Sequence, residues 1–221
     1  MMMQVMDEGD ETMASGRKEN FNFRDLTNGL VLIVNDRNLN TAKKVFESKE
    51  TDNAILACGY VDHTAGVSFE VLCLGEYGPN GNIELRRGNP TTSFKLRYGS
   101  VTGIIVLLED QMIPALQDKI DMVREGYKVS DAVMKARNST IFDDFRHPQY
   151  PDDMLILFFK KGVQPEGIWC RVEGEEDGRP AAVLLNEPNA DFGVHQGNCI
   201  SFGWTEVEGE MKGIAILPDM E

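Results

Sequence analysis

The sequence predicts an α+β protein in two parts: an N-terminal mixed or antiparallel sheet with helices, followed by a helix and a small C-terminal β-barrel-like domain. Three observations predict it. Apolar runs of strand length recur at residues 30–34, 104–108 and 154–159. Between them, apolar residues at helical spacing mark only short stretches. A polar segment at 126–130, opening on Gly126, divides the elements into two sets.

Residues 1–20 are polar and read as a disordered tail, with no basic stretch followed by an apolar core of the kind a secretion signal needs. The N-terminal α+β domain is placed at 21–126. Residues 29–35 read as a buried strand, and Leu39, Ala42, Val45 and Phe46 recur at helical spacing. Residues 53–61 and 67–74 are β-prone and flank a turn at 62–66; a second turn is expected over 75–82, where glycines and Pro79 suit a reversal. Alternation over 83–86 and 94–98 predicts one apolar face carrying Ile83, Leu85, Phe94, Leu96 and Tyr98. The opposite face then carries Glu84, Arg86, Lys95 and Arg97, a basic island read either as cross-strand charge pairing or as an anion site. Residues 101–108 suit a central strand. After the polar 109–111, Pro114 fits a first helical turn, and Leu116, Ile120 and Val123 form a stripe ending near Gly126. The C-terminal domain is placed at 130–221. Ser130 or Asp131 caps a helix burying Ala132, Val133 and Ala136, and the two prolines of 146–153 make that segment a loop.

Composition narrows the function. Lys plus Arg number 22 against 36 Asp plus Glu, a net charge of -14, which disfavours nucleic acid and anionic lipid as partners because both are polyanions. Twelve acids against three basic residues fall in 163–221. They read as a solvated, solubilising surface, or as one that captures a basic protein. No apolar run approaches the roughly 20 residues of a membrane span, so a cytoplasmic location is expected. Cys58, Cys73, Cys170 and Cys199 contain no Cys-x-x-Cys pair and are expected to be buried free thiols. The three histidines are scattered, and no phosphate loop, dinucleotide fingerprint or nucleophile elbow is present, so no metal or cofactor is expected.

The C-terminal residues carry a family pattern. Ala132-x-x-x-Ala136-Arg137-x-x-Thr140, Phe145, an apolar strand ending Phe159-Lys160, Glu166-x-x-Trp169, Leu185-Asn-Glu-Pro188 and Gly193-x-x-x-Gly197-x-x-Ile200-x-Phe202 follow in order. This arrangement, over about 131–205, resembles the bacterial YegJ-like domain of unknown function. The family closes with an acidic residue and Trp after its last strand, where this chain has Phe202-Gly-Trp204-Thr. The resemblance implies a module and no activity. Trp169 and Arg171 alternate away from Ile168, Cys170 and Val172, so Trp169 reads as the roof of a small core or as a ligand platform. Asn186, Glu187 and Pro188 read as a turn or as a groove rim beside it. Trp169, Arg171, Asn186, Glu187, Asp191 and His195 are therefore the candidate binding residues, and no catalytic residue is assigned. The expected function is a binding or interaction protein, of immunity or regulatory type, for a basic protein. The alternative is a hydrolase using His195 with Asp191, Glu187 or Cys199, whose four-residue spacing from 191 to 199 would align only on a helix.

Overall fold

The computed structural model describes residues 2–3, 14–108, 113–176 and 178–218. The chain forms two compact units, Met1–Lys128 and Val129–Glu221.

The first unit contains β1 (Met2–Met3), β2 (Ser15–Gly16), α1 (Phe23–Thr27), β3 (Leu30–Val34), α2 (Leu39–Ala42), β4 (Ala54–Asp62), β5 (Gly66–Tyr77), β6 (Ile83–Leu85), β7 (Lys95–Arg97), β8 (Ile104–Leu108) and α3 (Gln117–Gly126). All its strand pairings are antiparallel, in the order β1-β6-β5-β4-β3-β8-β2 with β7 added on β5. Both faces of the sheet are buried. Leu32, Leu56 and Val106 lie under Leu116, Ile120 and Val123 of the α3 segment. Val31, Ile33, Ile55 and Phe69 lie under Phe23, Leu26, Ala42 and Phe46. Two covered faces explain why β3 is apolar at every position rather than alternating. The α1 layer sits so close that a Cβ on Gly59 would lie 1.8 Å from the Leu26 carbonyl oxygen.

The polar tail expected over 1–20 lies outside the described residues at 1 and 4–13, as does the polar 109–111. Its last part is ordered: Ser15–Gly16 pairs with Ile105 and Val106, and Lys18 donates to the Val101 carbonyl at 2.6 Å. The α2 stripe is shorter than expected, and Val45 is 49% exposed, because the helix ends at Ala42.

The alternating segments 83–86 and 94–98 do not share a face. Both pair with β5, β7 opposite Ser68–Glu70 and β6 opposite Gly75–Tyr77. A β-bulge intervenes: Leu56 pairs with Cys73 and Ala57 with Val71, leaving Leu72 extra. Phe69 and Gly75 are six residues apart and would lie on one face without it; the extra residue reverses the alternation. Ile83 and Leu85 accordingly join the α3 side, while Leu96 joins the other. The predicted basic island is split with them. The buried Arg86 donates to Asp52 at 2.8 and 2.5 Å and to Glu84 at 2.6 Å. Lys95 donates to the Tyr127 hydroxyl at 2.6 Å, and Arg97 to Asp62 and Ser68 at 3.0 and 2.7 Å. Buried Lys119 donates to the Val71 carbonyl beside the bulge and to the Thr92 carbonyl, each at 2.6 Å.

The second unit contains α4 (Asp131–Asn138), a 3-10 turn (Thr140–Phe145), β9 (Asp153–Phe159), β10 (Glu166–Glu176), β11 (Arg179–Leu184), β12 (Cys199–Ser201), β13 (Gly203–Val207) and β14 (Glu210–Ile216). Ser130 caps α4, accepting from the Val133 N–H at 3.3 Å. The sheet order is β12-β11-β10-β9-β14-β13, antiparallel except for the parallel pair β14 and β9. Its inner face, with Ile156, Phe158, Ile168, Cys170, Leu184 and Phe202, packs on Ala136, Phe142 and Phe145. Among the described residues no ladder joins β12 to β13, so the sheet is not a closed barrel. Phe202 alone links these two edge strands, so at that corner they stand at most about 7 Å apart. Arg137 donates to both carboxylate oxygens of Asp152, at 2.8 and 2.6 Å, both residues being buried.

Candidate functional site

The candidate residues of the second unit fall into two places, the outer face of the sheet and the loop between β11 and β12. On β10 the expected alternation holds, with Ile168, Cys170 and Val172 buried and Trp169 and Arg171 half-buried on the opposite face. Arg171 donates to both oxygens of its cross-strand neighbour Asp153, at 2.6 and 3.0 Å, and this pairing raises its pKa further. Trp169 stands beside Leu155 on β9 and meets the His147 ring edge-on, with centroids 5.3 Å apart. His147 thus packs against the indole, which is half-buried.

The loop is held by its own polar groups. The Leu185 N–H donates to the Trp169 carbonyl at 2.8 Å. The Asn186 side chain accepts the Trp169 N–H at 3.0 Å, continuing the ladder past the end of β11. Glu187 accepts from the Gln196 N–H at 2.8 Å and contacts His195 Nδ1 at 2.6 Å. The His195 hydrogen bond is the main cause that holds the Glu187 carboxyl below its usual range, and Glu187 in turn raises the imidazole pKa. Asp191 accepts from the Gly193 N–H at 3.0 Å. Gly193 and Gly197, at φ 77° and 86°, supply left-handed turns, so residues 191–199 form no helix. At the far end, Glu166 accepts from the Asn189 and Ala190 N–H groups at 3.0 and 3.2 Å. Phe192 is buried edge-on against Phe158.

The structure therefore brings together Glu187 and His195, and Trp169 with Asn186. Cys199 is exposed on the edge strand β12, against the expectation that all four thiols are buried. It alternates with the buried Ile200, so its side chain lies on the outward face of the strand. Burial pushes the Cys170 thiol up to about 12 and Cys58 to about 11, leaving both protonated at neutral pH. Among the described residues, no hydrogen bond joins Cys199 to His195, and no group of three or more His, Cys, Asp or Glu could hold a metal ion. No helix of the described residues is long and apolar enough to cross a membrane.

Sequence reasoning passed over the neighbours of Trp169 on this outer face. Leu155 and Leu157 on β9 alternate with the buried Met154, Ile156 and Phe158, and Ile214 and Ile216 stand beside Leu157 and Phe159 in register. Leu155 is 38% and Ile216 81% exposed. The signal was available: 154–159 is apolar at every position, and a strand covered on one face needs apolar residues at only half of them. Around this stripe the two cations on β10 and β14 are paired within the sheet, Arg171 with Asp153 and Lys212 with Glu210.

No family model, no curated protein and no solved structure matches the chain.

Proposed function

We propose that the protein is a binding protein without catalytic chemistry, whose second unit docks a basic polypeptide segment with an apolar face. The docking surface is the outer face of the sheet, from Trp169 across Leu155 and Leu157 to Ile214 and Ile216. The observation that carries this reading is the apolar outer half of β9 and β14, where a one-face-covered sheet ordinarily places polar residues. The excess of acids in 163–221, beside cations already paired, gives the basic sign of the partner. Trp169 would serve as the anchor, as half-buried indoles do at interfaces. The reading takes the sheet as barrel-like, drawn together at Phe202, with this surface on its outside. An immunity or regulatory role and a YegJ-like origin of residues 131–205 belong to the same proposal.

The test begins with partner capture from host extract by the full chain, at low and high salt. Calorimetry then follows with the purified partner against Trp169→Ala and Leu155→Asp. A basic partner held in low salt and weakened at least tenfold by each variant, with circular dichroism unchanged, supports the reading. A partner retained by both variants, or none at either salt, overturns it.

One contact favours a second reading, hydrolysis at the loop. The Glu187 and His195 side chains meet at 2.6 Å, the geometry of a base and its orienting carboxylate. Both are exposed to solvent, which weakens such a pair, and Cys199 would have to supply the nucleophile. Hydrolysis of activated esters that is lost on both His195→Ala and Cys199→Ser would favour it over docking.

A further inference from the structure

The first unit contains a cleft of about 590 Å³ that no motif in the sequence points to. It lies where β6 and the loop after it face the segment leading into α3. α3 is ten residues long, about 15 Å. The strands it covers lie about 4.8 Å apart, so one helix cannot roof the whole width of an eight-stranded sheet. The cleft lies toward β6, one strand in from the β1 edge. Its apolar lining comes from the exposed Pro90 and Ala115, backed by the buried Cys73, Leu85, Ile113 and Leu116. Gly88 fixes this lining: a Cβ there would fall 2.3 Å from a Leu116 methyl, so the loop is pressed against the helix segment.

The cleft also carries cations in three different states. Lys49 is paired with Glu84 at 2.8 Å. Arg86 is buried, donates to Asp52 and Glu84, and has the Glu76 carboxylate 3.8 Å away as well. Arg87 is exposed at the cleft and has no ion pair among the described residues. A volume within the range of small-molecule sites, an apolar lining and one exposed guanidinium without an ion pair together define a ligand type. We propose that this cleft binds a small monocarboxylate with an apolar body, its carboxylate taken by Arg87 and its body laid on Pro90 and Ala115. Planar guanidinium groups suit a carboxylate in particular. Glu47 and Glu84 also line the cleft and would repel a more highly charged anion such as phosphate. The chain's net negative charge does not forbid a monoanion, because charges beyond a Debye length of about 8 Å are screened while these donors make contact.

The probe is octanoate below its micelle concentration, titrated into the full chain and followed by amide shifts in ¹H–¹⁵N spectra, with octylamine and inorganic phosphate as controls. Octanoate should saturate, with shifts centred on Lys49, Gly88 and Leu116. Phosphate should not bind, and octylamine should bind at least tenfold more weakly. Arg87→Gln should weaken octanoate tenfold or more while leaving the spectrum of the free protein otherwise intact. Ala115→Asp should weaken it as well, and its thermal melt would separate lost affinity from lost folding. Equal binding of octylamine and octanoate, an unchanged affinity in Arg87→Gln, or shifts scattered away from the cleft would each overturn the proposal. So would the absence of saturable binding.

Discussion

The two sheets differ in how many faces they bury. The N-terminal sheet is covered on both, by α3 on one side and by α1 and α2 on the other, so a substitution in its middle meets backbone or packed side chains whichever way it points. The C-terminal sheet buries one face, and the residues of β9 alternate between full burial and partial exposure. Yet 154–159 is as apolar as the doubly buried β3. Apolar composition alone therefore does not report burial; the number of layers stacked on the strand does. Where the two disagree, as at Leu155 and Ile216, the surplus apolar surface is a candidate for recognition.

Substitutions test this contrast, and the largest effect belongs to the doubly covered sheet. Gly59→Ala drives a methyl into the Leu26 backbone and should cost at least about 3 kcal/mol, whereas Gly174→Ala on β10 meets nothing within 4 Å and should change stability by about 0.5 kcal/mol or less. Both tryptophans, Trp169 and Trp204, lie in the second unit, so urea unfolding followed by their fluorescence reports that unit and far-ultraviolet circular dichroism reports the whole. A Gly59→Ala protein that melts like the parent would refute the close approach of α1.

Next in size is the buried pair of the second unit. Asp152→Ala leaves Arg137 buried without its bidentate partner and should lower stability by about 3–5 kcal/mol, while replacing both by Leu and Met should cost much less. A double replacement as costly as the single one would mean that the pair's own interaction, and not the unpaired charge left by Asp152→Ala, accounts for the loss.

Acid should act on the first unit through Asp36. This buried carboxylate accepts from the N–H groups of Thr102, Gly103 and Asn38 at 2.6, 2.8 and 2.8 Å, tying the end of β3 to the start of β8. Burial pushes its pKa up, but these hydrogen bonds outweigh burial and hold the group below 3.8. A carboxyl with a depressed folded pKa stabilises the fold above its unfolded pKa. That stability should decline as pH falls below about 3.8 and be lost once the folded value is passed. Urea midpoints between pH 5 and 2 should show this decline, and Asp36→Asn should flatten it. An unchanged slope in that variant would assign the acid sensitivity elsewhere.

Smaller still is the outer face itself. Leu155→Thr and Ile216→Thr should each shift stability by about 0.5 kcal/mol or less, against about 2 kcal/mol or more for Ile156→Thr one position along the same strand. Equal costs on the two sides would show that the outer face is packed in solution. The smallest effect is at the loop. His195 should titrate above 6.5, its interaction with Glu187 present in full below 6.5 as long as Glu187 stays ionised and lost as pH rises through the raised value. Histidine ring resonances should record that midpoint, and Glu187→Gln should return it toward 6.5.

Much of this could be read in the chain before its fold was known. The strand at 29–35, the stripe from Leu116 to Val123 and the Ser130 cap each follow from a local rule of spacing or hydrogen bonding, and each stands close to where it was expected. The alternation around Trp169 was legible for the same reason. The candidate site was legible as a set of residues and not as a use of them. Glu187 and Asp191 accept from N–H groups of the loop itself, while Asn186 ties the loop to the Trp169 N–H of β10.

The sequence by itself determined the periodicities, and with them the type and approximate place of most elements, because side-chain spacing along one strand or helix is a local property. Only the tertiary structure decided which strands pair and which faces are covered. One extra residue at Leu72 sends Leu85 and Leu96 to opposite sides of the sheet and separates Arg86 from Lys95 and Arg97. The open outer face around Trp169 was decided in the same way, by the absence of a second layer over it among the described residues. Pairing and covering join residues distant in the chain, and no local pattern carries the register or the layer count that fixes them.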